Sequence, residues 1–232
     1  MQRYYCDNWS ETVPFFLSEE ESRHCVSVMR NGLGAHISLL DGKGSLIQAR
    51  VIEPNPKHCG LQFEKVLKKE EKRNPLHIAI SPTKSNDRIE WFIEKACEIG
   101  IGQITPLLCE RTERNKVNLE RWKKIVISSC KQSSLLYFPQ INELTKLHKF
   151  LEKYETKTNN TLVASIGVES KMSDFKLEKP IFIIGPEGDF SESEFDLIRE
   201  KKLQEVNLSN NILRVETAGV VAVSQWNQIY EG

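Results

Sequence analysis

The sequence predicts an α/β protein in which a mainly parallel sheet follows a small β-rich module. From Leu76 onward, strand-like and helix-like segments alternate with short connections, the pattern of parallel strands covered on both faces. Residues 181–195, IFIIGPEGDFSESEF, read as a buried strand, a tight loop with two glycines and the start of a helix. Earlier in the chain, strand-like runs flank Asp41-Gly42-Lys43-Gly44, a hairpin signal.

The elements follow in order. Ser18 caps a short helix whose first turn, Glu19-Glu20-Glu21, suits its positive end, and which carries His24, Cys25, Val28 and Met29. Strands over His36–Leu40 and Ser45–Glu53 form the hairpin, and residues 61–67 add another. Residues 65–74, KVLKKEEKRN, are charge-rich and glycine-free, and are read as the connector between domains 1–72 and 73–232. Residues 76–80 read as a strand. In the helix expected over 87–99, Ile89, Phe92, Ile93, Ala96 and Cys97 form one apolar stripe, ended by Gly100. A strand at 104–108 precedes a helix from an Asn118 cap to Ser133, with Trp122, Ile125, Val126, Ser129 and Cys130 on one face. Residues 162–166, 181–184 and 205–208 continue the sheet, and Ser191-Glu192-Ser193-Glu194 is a capping box. Residues 217–230 are apolar on nearly all sides, so that helix must be buried in its domain or against a second chain. Residues 152–160 and 169–179 read as polar, lysine-rich loops.

Composition narrows the function classes. Lys plus Arg and Asp plus Glu each total 32, so any contact with RNA must come from local patches. The six cysteines (6, 25, 59, 97, 109, 130) include no C-x-x-C pair, and the five histidines (24, 36, 58, 77, 148) lack metal-ligand spacing. No apolar run spans a bilayer and the N-terminus has no signal core, so a cytoplasmic protein without a metal is expected. No G-x-G-x-x-G follows a strand, which argues against a Rossmann dinucleotide site.

The pair GPEG (185–188) and ILRVETA (212–218), in this order, resembles the C-terminal half of the RsmE family. HCVSVMRNGLGAHISLLDGKG resembles the PUA-like domain that begins those proteins, and KSNDRIEWFIEKACEIGIGQITPLLCERTER and RWKKIVISSCKQSS resemble their middle section. The chain departs from the family at Ser128-Ser129 (often Glu-Ala), Leu135 (often Arg), Asp189 (usually Gly) and Ser209-Asn210-Asn211 (often part of Leu-Gly-x-Arg). The family comprises SPOUT-class methyltransferases that transfer a methyl group from S-adenosylmethionine to N3 of a uridine in 16S ribosomal RNA.

The resemblance implies a β-barrel PUA-like RNA-binding domain followed by a trefoil-knotted SPOUT domain, a homodimer, and the small ribosomal subunit as partner. It places cofactor loops at Ala164 and Ser165, at Gly185, Pro186, Glu187 and Gly188, and at Leu208, Asn211, Ile212 and Leu213, with Thr217 close by. Arg3, Arg23 and Arg30 in the first domain, and Arg111 and Arg114 on a loop, are candidate RNA contacts. Lys84, Arg88, Arg121, Lys123 and Lys124 make the same region locally basic, as a phosphate strip or as the wet faces of two helices. Methylation at uracil N3 needs a proton removed and a developing anion stabilised. Arg214 is the candidate positive partner, and Glu216 or Glu187 the candidate proton acceptor. Structural roles stay open for both carboxylates, Glu187 bracing its loop and Glu216 starting the last helix. The alternatives are a SPOUT methyltransferase acting on another base or on tRNA, and an RNA- or ribosome-binding protein without catalysis.

Overall fold

The computed structural model describes residues 3–71, 74–154 and 160–231; the expected domain boundary at 72/73 and positions 155–159 of an expected loop lie outside the described residues. The chain divides into two compact units, Met1–Arg73 with Ile127–Phe138, and Asn74–Val126 with Pro139–Gly232.

The first unit is built on a five-stranded sheet in the order β1-β3-β4-β5-β2, from β1 (Arg3–Tyr5), β2 (Phe15–Phe16), β3 (His36–Leu40), β4 (Ser45–Glu53) and β5 (Gly60–Lys69). Along β4, Ser45, Ile47, Ala49 and Val51 alternate inward, the period of a half-buried strand. Asp41 Oδ1 accepts from the N–H groups of Lys43 (2.7 Å) and Ser45 (2.8 Å) and so closes the β3–β4 hairpin. The strand expected over 61–67 runs on through Lys68 and Lys69 of the expected connector, because β4 offers partners as far as the pair Ser45 and Lys69. Ser18 Oγ accepts from the Glu21 N–H (3.3 Å) and caps α1 (Glu19–Arg23). The expected helix then widens into a π-turn, His24–Val28, and Arg30 follows in the left-handed region at φ 54°.

The second unit holds a seven-stranded sheet in the order β12-β10-β11-β6-β7-β8, with β9 also beside β7. The strands are β6 (His77–Ile80), β7 (Gln103–Leu108), β8 (Gln140–Ile141), β9 (Thr145–Lys146), β10 (Thr161–Ala164), β11 (Ile181–Ile184) and β12 (Gln204–Val206). Every pairing among them is parallel. β6 and β11 are buried along their whole length, as parallel strands covered on both faces should be. The further α-helices among the described residues are α2 (Asn86–Ile99), α3 (Leu119–Ser133), α4 (Leu147–Lys153), α5 (Glu192–Glu200) and α6 (Val215–Glu231). The whole stripe expected on α2 is buried. α4 and the two-residue strands were not anticipated, since segments so short carry no readable period. No helix among the described residues is long and apolar enough to cross a membrane. All six cysteines are buried, and none is in a disulfide.

Helix α6 buries Val215, Ala218, Ala222, Val223 and Trp226 within this unit, while Val220 and Val221 are half-buried and Ile229 is exposed. It lies against α2 at Gly219, where an added Cβ would sit 2.5 Å from the Phe92 ring. Its far end is held by polar bonds: Asn227 Nδ2 donates to the Gly100 carbonyl (2.7 Å), and Asn74 Nδ2 donates to Asn227 Oδ1 (2.9 Å). Trp226 Nε1 also donates to Asn74 Oδ1 (3.2 Å). Alanine at position 219 would gain about 1 kcal/mol of helix propensity against an overpacking cost of about 1–3 kcal/mol. Gly219→Val adds bulk with little such gain. It should lower stability by about 2 kcal/mol or more, seen as a fall of several degrees in the melting temperature; an unchanged melting temperature would refute the close packing.

Candidate active site

Strands β12, β10 and β11 end side by side, and the loops that follow them enclose a cleft of about 320 Å³. The chain runs from β10 to β11 on one side and returns with β12 on the other side of β10. Such a reversal leaves a crevice at the carboxyl ends of parallel strands. Ala164 and Ser165 reach the cleft from β10, and Gly185, Pro186 and Glu187 from the loop after β11. Leu208, Asn211, Ile212 and Leu213 reach it from the loop after β12, with Arg214 at the entry to α6. Gly188 and Thr217 are not brought to it. Ile166, Ile184, Asp189, Asn207 and Ser209 line it without having been anticipated. Ile212 is 80% exposed and Ile166 69%, so two large apolar side chains stand in water at one cleft. Such grouping marks a surface that an apolar ligand can cover.

The loops are braced by side chains. Arg111 Nη1 donates to the Gly188 carbonyl (2.9 Å), while Arg114 donates through Nε to Thr83 O (3.2 Å) and through Nη2 to Lys84 O. Glu187 Oε1 accepts from the Lys84 N–H (3.1 Å), tying the GPEG loop to the loop after β6. The capping box is formed as its sequence indicates: Ser191 Oγ accepts from the Glu194 N–H (3.2 Å), and Glu194 Oε2 from the Ser191 N–H (3.0 Å). Buried Glu194 also accepts from the Glu110 N–H (2.9 Å), an additional role invisible in the motif. Hydrogen bonds from Ser191 and Ser193 hold the Glu110 carboxyl below its ordinary range, and burial pushes the neighbouring Cys109 thiol up. On the β12 side, Ser165 Oγ donates to Glu205 Oε2 (2.6 Å). The departure Ser209-Asn210-Asn211 stitches itself: Asn207 Oδ1 accepts from the Ser209 N–H (3.1 Å) and Ser209 Oγ from the Asn211 N–H (3.1 Å). Gln225 Nε2 of α6 donates to the Leu208 carbonyl (3.1 Å), a brace that a Gln in a largely apolar helix only hints at.

A second, shallower cleft shares Arg214 with the first and adds Asp87, Arg88, Trp91, Glu216 and Thr217. Glu216 is only 6% exposed. Its Oε1 lies 3.8 Å from Arg88 Nε, an ion pair without a hydrogen bond, and its Oε2 has no hydrogen-bond partner among the described residues. Of the predicted catalytic groups, Arg214 and Glu216 therefore share a cleft. Glu187 lines the other and is engaged with a backbone amide.

The predicted RNA contacts fall into two sets. In the first unit, Arg3 is half-buried in β1, Arg23 is exposed and paired with Glu19 (3.5 Å), and Arg30 is exposed beside the exposed Val28, Met29 and Leu33. In the second unit the basic strip is largely paired: Lys84 with Glu113 (3.0 Å), Lys123 with Glu120 (2.8 Å), and Arg121 with Glu90. Arg111 and Arg114 are engaged with carbonyls, although each guanidinium keeps further N–H groups beyond the one and the two bonds described.

Residues 69–227 match the family described as RNA methyltransferase domain, and residues 17–64 the one described as RNA methyltransferase PUA domain. A ribosomal RNA small subunit methyltransferase E from Buchnera aphidicola is 30% identical across 96% of this chain and 91% of its own. Among solved structures, a ribosomal RNA small subunit methyltransferase E from Neisseria gonorrhoeae bound to S-adenosyl methionine superposes with a TM-score of 0.86 at 30% identity, covering 99% of this chain and 98% of that one. A probable rRNA-methyltransferase from Porphyromonas gingivalis superposes with a TM-score of 0.86 at 31% identity over the same shares. Matched along nearly its whole length by such relatives, this chain belongs to the ribosomal RNA small subunit methyltransferase E family.

Proposed function

We propose that this chain is an S-adenosylmethionine-dependent methyltransferase that methylates N3 of a uridine in 16S ribosomal RNA of the small subunit. The observation that carries the reading is the pair of clefts joined at Arg214, one lined by three strand ends and the other holding an unpartnered carboxylate oxygen. In this reading residues 1–72 are a PUA-like RNA-binding domain and residues 73–232 a SPOUT domain whose strand-end loops belong to a trefoil knot. The protein acts in the cytoplasm as a homodimer through the second domain, where Val220, Val221 and Ile229 leave part of α6 uncovered. Arg3, Arg23 and Arg30 contact RNA from the first domain, joined by the outer N–H groups of Arg111 and Arg114.

The residues of the strand-end cleft fit S-adenosylmethionine. Its volume of about 320 Å³ lies in the range of small-molecule sites, and apolar Ala164, Ile184, Leu208 and Leu213 offer walls for an adenine ring. Ile166 and Ile212 would lose their exposure to water on covering it. The carboxylates of Glu187 and Asp189, each already holding one backbone N–H, keep an oxygen for hydroxyl or amino groups. When bound, this cofactor supplies an electrophilic methyl group on a sulfonium sulfur and leaves as the thioether.

The chain's own residues handle the proton and the charge. Glu216 accepts the N3 proton of the uracil, because its carboxylate lines the second cleft and accepts no hydrogen bond from the described residues. Arg214, at the junction of the clefts, stabilises the negative charge that spreads from N3 onto the flanking carbonyl oxygens. Glu187 braces the cofactor loop.

Incubation of small ribosomal subunits with labelled S-adenosylmethionine should yield N3-methyluridine by mass spectrometry; a different methylated nucleoside, or none, would sink the assignment. Arg214→Ala should lower kcat about 100-fold or more with cofactor affinity within a few-fold of wild type, and retained turnover would remove Arg214 from the chemistry. Arg114→Met should loosen two loop carbonyls and raise the cofactor Kd about tenfold, as titration calorimetry can check; an unchanged Kd would mean that the loops hold their shape without it.

A further inference from the structure

The shallow cleft between α2 and α6 has features that proton removal alone does not require. Arg88 and Trp91 stand one turn apart on the same face of α2, and Trp91 is 43% exposed although it is the largest side chain of that helix. Opposite them on α6, Glu216 is more than nine-tenths buried, with its Oε2 unpartnered and its Oε1 in a loose pair with Arg88. The other orphaned carboxylate oxygen among the described residues, Glu21 Oε2, differs in that its sister oxygen holds the Lys131 ammonium in a direct hydrogen bond. Thr217 and Arg214 complete the lining, Arg214 on the side of the strand-end cleft, and Asp87 stands at the same cleft as the one other carboxylate.

The polar groups therefore offer a guanidinium, a carboxylate and a second guanidinium, in chemical terms donor, acceptor, donor. The imide edge of uracil presents the complement: a carbonyl oxygen, an N–H and a second carbonyl oxygen. Cytosine presents an amino donor, a bare ring nitrogen and one carbonyl, so a carboxylate facing its N3 would meet a lone pair. We propose that this cleft is the base pocket, in which Trp91 stacks on an extruded pyrimidine while Arg88, Glu216 and Arg214 read its imide edge. Enzymes that work on a base commonly take it out of the helix and read its pairing edge between aromatic and apolar side chains. The pocket rests on the reading that the chain methylates a uridine in RNA, and it adds Trp91 and Arg88 as substrate-contacting residues that set uracil over cytosine.

The test uses the full-length protein and small subunits reconstituted with transcripts carrying uridine or cytidine at the nucleotide that the wild type modifies. Trp91→Ala should lower kcat/KM for the uridine subunits about tenfold or more, the loss expected for one stacked base. Trp91→Phe should recover most of it, and both variants should bind S-adenosylmethionine within twofold of wild type. Glu216→Gln, whose amide can donate as well as accept, should bring the ratio of uridine to cytidine binding close to one. Wild-type turnover in Trp91→Ala and Arg88→Gln, or unchanged base discrimination in Glu216→Gln, would overturn the pocket while leaving the methyltransferase reading standing. A wild-type protein that binds S-adenosylmethionine yet methylates no RNA would overturn that reading, and the pocket with it.

Discussion

Gly219 lets α6 lie so near α2 that one added carbon would overlap the Phe92 ring, and the consequences run along both helices. Phe92 sits one turn beyond Arg88, and Gly219 one turn beyond Glu216, so the contact that joins the helices also sets Arg88 against Glu216. It places the first turn of α6 at the ends of β10, β11 and β12, where Arg214 borders both clefts. A larger residue at 219 would push this turn outward, and a displacement of about an ångström in a catalytic group can remove much of its effect.

The loops at the strand ends are kept in place by a different means. They carry backbone carbonyls and amides that no sheet or helix satisfies, and buried or half-buried groups of that kind need partners. Arg111 and Arg114 supply donors to carbonyls of the loops after β11 and β6, and Glu187 and Glu194 supply acceptors to amides of the loops after β6 and β7. A guanidinium has several N–H groups in a fixed plane, so one Arg114 side chain can hold two successive carbonyls. A site assembled from irregular backbone thus gains rigidity from charged side chains around it as well as from the buried Phe190 ring packed against Gly185.

The degree to which the sequence disclosed this arrangement varied with the physics of each part. The stripe on α2, the capping box at Ser191 and the hairpin around Asp41-Gly42 are local, so propensity and period revealed them. The strand ends that line the strand-end cleft were legible through the glycine-proline loop and the family likeness, although Gly188 and Thr217 are not among its lining residues. The bonds of Arg111 and Arg114 were not legible, because a loop arginine aimed at a phosphate and one aimed at a distant carbonyl have the same sequence signature. β5 ran on into a charged segment because its partner strand was long enough, a tertiary fact that outweighed composition. Trp91 did leave a trace: it falls outside the buried stripe of Ile89, Phe92 and Ile93, and a large aromatic residue off its stripe asks for a partner.

The orphaned oxygen of Glu216 is a local conflict, since a buried carboxylate without a full partner destabilises the fold. Such conflicts gather where function uses them. A carboxylate that recognises uracil by its N3–H has a further property. The hydrogen bond it accepts is the one that methylation abolishes, because N3 then carries carbon in place of the proton. After transfer the same oxygen, now protonated or facing a methyl group, no longer complements the base, and the guanidinium that shared its charge loses its partner. On the proposed reading, recognition of the substrate and rejection of the product follow from one carboxylate.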